Sequence, residues 1–193
     1  MNNRVRIPSR QHLQRQLTAA AEIGAAGVIV HGGHLTAKDD LEAGFTNWFK
    51  AVDGLDIAVP LLIENTAGGT KAMARHLENI DRLWAAIGAS ANADKVGFCL
   101  DTGHLTIGGA DPVALVVDHL DRIGLVHLKD VDADAAARER SGELDLMGAT
   151  QAGLFPPLGD GIVTDLPVEI MSGELSTVSA DADKVIRVDR KST

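Results

Sequence analysis

The chain has a single cysteine, Cys99, and no tyrosine, and aromatic residues make up only 3% of its 193 positions. One thiol cannot build a disulfide framework, and its place inside an apolar run fits a reducing cytoplasm. Scarce aromatics leave no stacking platform for single-stranded nucleic acid. No apolar stretch approaches the roughly 18 residues a membrane span needs. The polar, basic start MNNRVRIPSR has no apolar h-region behind it. A cytoplasmic protein without membrane contact is the expectation. Positive charge is also short: 18 lysines and arginines face 27 aspartates and glutamates, a net charge of −9. That balance works against broad attraction to a polyanion, although a bound cation or a local basic rim reverses the field where it acts. Composition alone favours a small substrate over DNA.

What the sequence does contain is one pattern, repeated. Four apolar runs each end in a potential metal ligand: AGVIV before His31, VPLLI before Glu64, VGFCL before Asp101 and IGLV before His127. The ends are 33, 37 and 26 positions apart, from 31 to 64, 64 to 101 and 101 to 127. A βαβ crossover takes about 30 residues, so the four side chains should emerge together at the C-terminal rim of a parallel sheet. That rim is where β/α barrels and open α/β sheets place their chemistry.

Helical patterns fill the gaps. Ser9 reads as the cap of a helix to about Gly24, with Leu13, Leu17, Ala20 and Ala21 on one face. Thr36 and Asp39 resemble a capping box. Leu41, Phe45, Trp48, Phe49 and Val52 behind them form a stripe at helical spacing, which reads as core rather than as cofactor contacts. Gly68-Gly69 allow a tight turn before a helix over about 70–88, which buries Met73, Leu77, Ile80, Leu83, Trp84 and Ile87. Asp111 and Pro112 open another helix. Beyond Asp132 the signals thin: a polar helix within 133–153, a turn-rich loop over 154–161, and a fifth strand near 162–170. The GDG of 159–161 lacks the strand-to-helix setting of a phosphate cradle.

A closed eight-stranded barrel takes about 250 residues, and about 200 at the least. The expected fold is therefore an α/β, partial (β/α) TIM barrel with about four to five parallel strands and crossover helices. It occupies residues 1–166, with a poorly patterned tail over 167–193. Unclosed edges favour pairing with another chain, so a homo-oligomer completing the barrel is expected.

Glu64, Asp101 and His127 offer two carboxylates and an imidazole from neighbouring strands, a mixed set suited to Zn²⁺, Mn²⁺ or Co²⁺. His31 and His104 belong to the same rim. Singly, each has a plainer reading, because a strand-end carboxylate caps a helix or pairs with a lysine, and a histidine after an apolar run can be core. Repetition of the placement favours a metal.

These residues also carry a resemblance. VIVHGGH (28–34), LLIENTAGG (61–69) and VGFCLDTGH (96–104) closely resemble endonuclease IV, the metal-dependent abasic-site nuclease of DNA repair, and most closely its mycobacterial-type members. The likeness runs from about residue 4 to 104 and includes RVRIPSR and the AMAR after NTAGG. It implies a barrel of the xylose-isomerase-like superfamily carrying three zinc ions. DTGHLTIGGADP (101–112), VHLKDVD (126–132) and residues 137–161 instead resemble inosose dehydratase and sugar isomerase/epimerase relatives. Endonuclease IV has a cysteine where Gly103 stands and an Asn-Asp pair where Lys129 and Asp130 stand.

Carried over, the first resemblance makes His31 a ligand of the first zinc, and Glu64 a bridge from the first to the second. Asp101 and His127 become ligands of the second, and His104 of the third. The histidine of an earlier strand and the Asp-x-His after the His127 strand have no counterparts, and Glu169 is a weak match for the closing glutamate. The third zinc keeps His104 alone. The isomerase-type resemblance implies one metal, for which Glu64, Asp101 and His127 supply three of four ligands and His104 touches substrate. In the joint assignment Glu64 and His104 are catalytic, and His34, Asn65 and Lys129 bind substrate. Lys38 and Lys71 meet phosphates if the substrate is DNA.

The expectation is an endonuclease IV-like hydrolase using Zn²⁺, or else Mn²⁺ or Co²⁺, on DNA with an abasic site. The alternatives are a single-metal sugar isomerase/epimerase or inosose dehydratase acting on a polyol or ketose, and an inert barrel fragment.

Overall fold

A computed structural model of the protein describes residues 3–35, 39–69, 71–163 and 185–186. Its elements alternate as the hydrophobic pattern requires: α1 (Asn3–Glu22), β1 (Val28–His31), α2 (Leu41–Asp53), β2 (Leu61–Glu64), α3 (Leu77–Gly88), β3 (Val96–Asp101), α4 (Thr102–Ile107), α5 (Pro112–His119), β4 (Ile123–His127), α6 (Ala133–Arg140), α7 (Leu146–Gln151) and β5 (Val185–Ile186). The sheet runs β1-β2-β3-β4-β5, with β1 to β4 parallel. Consecutive order with a helical crossover at each step is the winding of a β/α barrel, here four strands long. Among the described residues no helix is long and apolar enough to cross a membrane.

The two faces of this sheet differ. Val28, Val30, Leu61, Ile63, Val96, Phe98, Leu100 and Val126 pack against Leu17, Phe45, Val52, Ile80, Leu83, Trp84, Ile87 and Leu115 of the helices. The alternate positions belong to the other face, where Ile29 is 41% exposed and Leu62 and Leu125 are half-buried. Side chains alternate across a strand, so each strand sends one row into the helical layer and the other row, ending in the ligand-type residues, onto the opposite face.

Four boundaries differ from the sequence reading. Ser9 is not a cap: α1 begins at Asn3 and the Ser9 hydroxyl donates to Val5 O at 2.9 Å from inside the helix. Pro8 stands near the helix start, where its missing N–H forfeits one intrahelical bond. Asp40, not a Thr36–Asp39 box, caps α2 by accepting from Ala43 N at 2.8 Å; Thr36 lies outside the described residues. The helix expected over 70–88 starts only at Leu77. Met73 and AMAR belong to the preceding turns, where Met73 N donates to Gly33 O at 2.9 Å, so Met73 reaches the core from a loop. The stretch 133–153 divides into α6 and α7, capped by Asp132 and Asp145. As for the fifth strand, Ile162 and Val163 form none and 164–170 lie outside the described residues, while β5 pairs antiparallel with β4.

The loop over 159–161 does enclose an anion, but one of the protein's own. Asp130 is buried, and its carboxylate accepts from Val131 N and Val163 N at 2.9 Å on one oxygen and from Gly159 N at 2.9 Å and Gly161 N at 2.8 Å on the other. Burial raises its pKa, but the four N–H donors outweigh it and hold the carboxyl below the usual range. A group stabilised in its ionised form contributes fully above the ordinary aspartate pKa, and the contribution is lost as acid protonates the folded state. Asp130→Asn keeps the shape but can accept with one oxygen only, leaving two N–H groups facing an amide NH₂. At about 1–3 kcal/mol for an unsatisfied donor, moderated here by the half-exposed loop, the expected loss is about 2–3 kcal/mol. That corresponds to a melting temperature lower by roughly 5–10 °C, measurable by circular dichroism at neutral pH, with a smaller difference below about pH 4.

Candidate metal centre

Strand register brings the ligand-type residues together. His31 pairs with Glu64 across β1 and β2, Glu64 with Cys99 across β2 and β3, and Asp101 with His127 across β3 and β4. Glu64 is the hub. Its Oε1 accepts from His127 Nδ1 at 3.0 Å and lies 3.7 Å from His104 Nδ1, and its Oε2 lies 3.6 Å from His31 Nε2. Asp101 Oδ2 is 3.4 Å from His104 Nδ1 and 3.9 Å from His127 Nδ1. Ligand atoms of Glu64, Asp101 and His104 all fall within 4.8 Å of one another.

Asp101, fully buried, is held from three directions. Its Oδ1 accepts from His104 N at 2.8 Å and caps α4. Its backbone N donates to Asn65 Oδ1 at 2.7 Å, and its carbonyl accepts from Asn65 Nδ2 at 2.9 Å. Lys129 Nζ stands 2.7 Å from Oδ2, yet that oxygen has no hydrogen bond of acceptable direction. The lysine compensates its charge without satisfying its lone pairs. A buried carboxylate oxygen without a directed donor, beside a second carboxylate and three imidazoles, is a donor set that fits a divalent cation.

Electrostatics follow from this packing. Burial raises the Glu64 pKa, but the His127 hydrogen bond and the charges of His127, His104 and His31 together bring it below the usual carboxylate value. The same hydrogen bond, against the opposing effect of burial, raises His127. His104 moves the other way, because burial outweighs the attraction of Asp101. Its Nδ1 lies 3.0 Å from Asn65 O. A carbonyl can only accept, so Nδ1 carries the proton and Nε2 keeps the lone pair in the neutral ring.

Of the expected site residues, Glu64, Asp101, His104, His127 and the exposed His31 converge. Asn65 is wholly buried and bonds both amide atoms to the Asp101 backbone, so its amide positions Asp101. His34 Nε2 binds Gly68 O at 2.7 Å, tying the loop after β1 to the loop after β2. Gly69 there has φ +76°, and a Cβ on Gly68 would come within 2.9 Å of His34 Nε2. Lys71 is exposed on the rim; Lys38 and Glu169 lie outside the described residues.

One neighbour has no place in the site as read from the sequence. Cys99, two residues before Asp101, shares its face and joins Glu64 and His127 within 4.8 Å. Burial first, then the Glu64 and Asp101 charges, push its thiol pKa well up. A groove of about 710 Å³ between α1, β1 and α2 reaches His34 but none of the converging ligands.

The family model described as a xylose isomerase-like TIM barrel matches residues 1–169. The chain is 48% identical over 150 residues to a probable endonuclease 4 of Mycobacterium ulcerans, covering 74% of this chain and 57% of that protein. It is 46% identical over 167 residues to a probable endonuclease 4 of Mycobacterium tuberculosis, covering 80% and 65%. It thus spans roughly three fifths of the length of these relatives. Among solved structures, a D-tagatose 3-epimerase-like protein aligns over 79% of this chain and 68% of its own, with a TM-score of 0.59 at 16% identity, which is a likeness of fold.

Proposed function

Because the chain belongs to the xylose isomerase-like TIM-barrel family, we propose that its rim is the metal centre of an endonuclease IV-like phosphodiesterase acting on abasic sites in DNA. The single observation that carries this reading is the convergence of His31, Glu64, Asp101 and His127, at the ends of four consecutive strands, with His104 at the start of α4. The 46–48% identity to proteins named probable endonuclease 4 supports it.

Glu64, Asp101 and His127 would hold the ion, with His31 and His104 beside it; Zn²⁺, Mn²⁺ and Co²⁺ all suit this set. Bound there, a divalent cation stabilises charge on a phosphoryl oxygen and acidifies water. The chain's own residues supply the preorganisation. Asn65 and the α4 N-terminus fix Asp101, and the Asn65 carbonyl fixes the His104 tautomer, so that Nε2 accepts or relays a proton. In this reading the exposed Lys71 meets a backbone phosphate. An abasic nucleotide has little stacking to lose and turns out of the duplex cheaply. Among the described strands β1 pairs with β2 alone, so a second copy joining along β1 would extend the sheet.

The test is incision of a duplex carrying one abasic site. The proposal expects cutting 5′ to that site, loss on chelation and recovery with Zn²⁺ or Mn²⁺, and rates that fall as salt rises. An intact abasic strand at saturating metal contradicts it.

One observation favours a second reading. Lys129 covers Asp101 Oδ2, which leaves donors for one ion, as in a sugar isomerase or epimerase that chelates neighbouring hydroxyls of a ketose. Turnover of ketohexoses or inositol-type ketones with Mn²⁺, and none of the abasic duplex, would decide for it.

A further inference from the structure

We infer that Lys129 is a built-in counter-cation that competes with a divalent ion for Asp101, so that this chain binds its ion more weakly than its donor set dictates. The inference rests on the reading that the rim holds a divalent ion. The Lys129 ammonium stands 2.7 Å from Asp101 Oδ2, the oxygen that also faces His104 at 3.4 Å and His127 at 3.9 Å. It therefore takes the side of Asp101 that an ion shared with those residues must approach.

Three features keep the ammonium there. The Lys129 backbone is pinned to the end of β3: its N donates to Thr102 Oγ1 at 2.9 Å, and its carbonyl accepts from the same hydroxyl at 2.7 Å. The Phe155 ring centroid lies 5.4 Å from Nζ, within the range of a cation–π contact. Gly103 leaves room for the stem, since a Cβ at that position would come 2.8 Å from Lys129 Cβ and 3.1 Å from Phe155 Cε1. An ammonium fixed so close to a ligand oxygen repels any incoming cation, and binding must displace it from Asp101.

The Lys129 side chain is 32% exposed, but Lys129→Met leaves the buried Asp101 carboxylate without its counter-charge, so circular dichroism first establishes that each variant is folded at the assay temperature. Zn²⁺ affinity is to be measured at neutral pH by competition with a chromophoric chelator, for the wild type, Lys129→Met and Lys129→Arg. Lys129→Met should bind Zn²⁺ tighter by about tenfold or more, and Lys129→Arg, which keeps the charge, should stay within about threefold of the wild type. Equal or weaker binding by Lys129→Met, with Zn²⁺ still held by the wild type, overturns the competition and leaves the metal centre standing. Equal gains in both variants also overturn it, by assigning the effect to the stem rather than the charge. No Zn²⁺ binding by any of the three overturns the inference and the reading beneath it.

Discussion

Glu64→Gln should lower incision at an abasic site by more than about 100-fold while leaving the melting temperature within a few degrees of the wild type. The reason lies in what surrounds the carboxylate. Glu64 Oε1 accepts from His127 Nδ1 at 3.0 Å, and its two oxygens lie within 3.7 Å of His104 and His31. Gln removes the negative charge that draws a cation into a buried pocket. It also turns an NH₂ toward one of these imidazoles, which then either loses an acceptor or must give up its own proton. Residues that merely support a metal ligand cost about 10–100-fold when changed, so removing the central ligand should exceed that range. Gel assays of a labelled abasic duplex read the rate, and zinc content after gel filtration reads the site. If the reaction is instead that of a sugar isomerase, the same substitution should abolish ketose turnover, because both readings pass through this carboxylate. Survival of either activity in Glu64→Gln removes Glu64 from the mechanism.

The largest expected effect on stability is at a position with no chemistry of its own. Arg75 and Glu139 are both buried and form a two-pronged ion pair, with Arg75 Nη1 at 3.0 Å from Oε1 and Nη2 at 2.7 Å from Oε2. Arg75 Nη1 also donates to the carbonyl of Ala67. The pair thus fastens α6 to the turn before α3, and through Ala67 it fixes the NTAGG loop that follows Glu64. Glu139→Ala leaves a guanidinium inside the protein with one carbonyl for company. Breaking one side of a buried pair costs about 3–5 kcal/mol, which for a chain of this length lowers the melting temperature by roughly 6–20 °C. Replacing the pair as a whole, as in Arg75→Met with Glu139→Leu, should recover most of that loss, because no charge then remains unpaired. Thermal denaturation of the three variants measures this. A Glu139→Ala protein as stable as the wild type would mean that water reaches Arg75.

The parallel strands and the rim were legible because both rest on local pattern. An apolar run ending in a ligand-type residue, repeated at the spacing of a crossover, fixes strand, face and polarity together, and the observed register of His31 with Glu64 and of Asp101 with His127 follows. Asp132, Asp40 and Asp145 can cap helices only where the chain turns, and the exact turn position rests on contacts that local pattern does not carry. Ser9 is a case of the same kind: a serine after a proline reads as a helix start, whereas the helix begins at Asn3. What stayed hidden depends on distant contacts. Arg75 and Glu139 are 64 positions apart, and no periodicity links them. Asn65 reads as a rim residue until the structure shows its amide closed on the Asp101 backbone. Cys99 could have been found, since it precedes Asp101 by two and must share its face. Gly103 and Lys129 read as two separate departures from endonuclease IV; the structure links them, because a side chain at 103 would strike the Lys129 stem.

The central claim is that one cation sits among Glu64, Asp101 and His127. Crystals grown with Zn²⁺ and measured at the zinc absorption edge test it most directly. The account predicts an anomalous peak at about 2.0–2.2 Å from a Glu64 oxygen, an Asp101 oxygen and a His127 nitrogen, with the Lys129 ammonium displaced from Asp101. A zinc-saturated crystal with no peak there, or with its ion bound only at other residues, would contradict it.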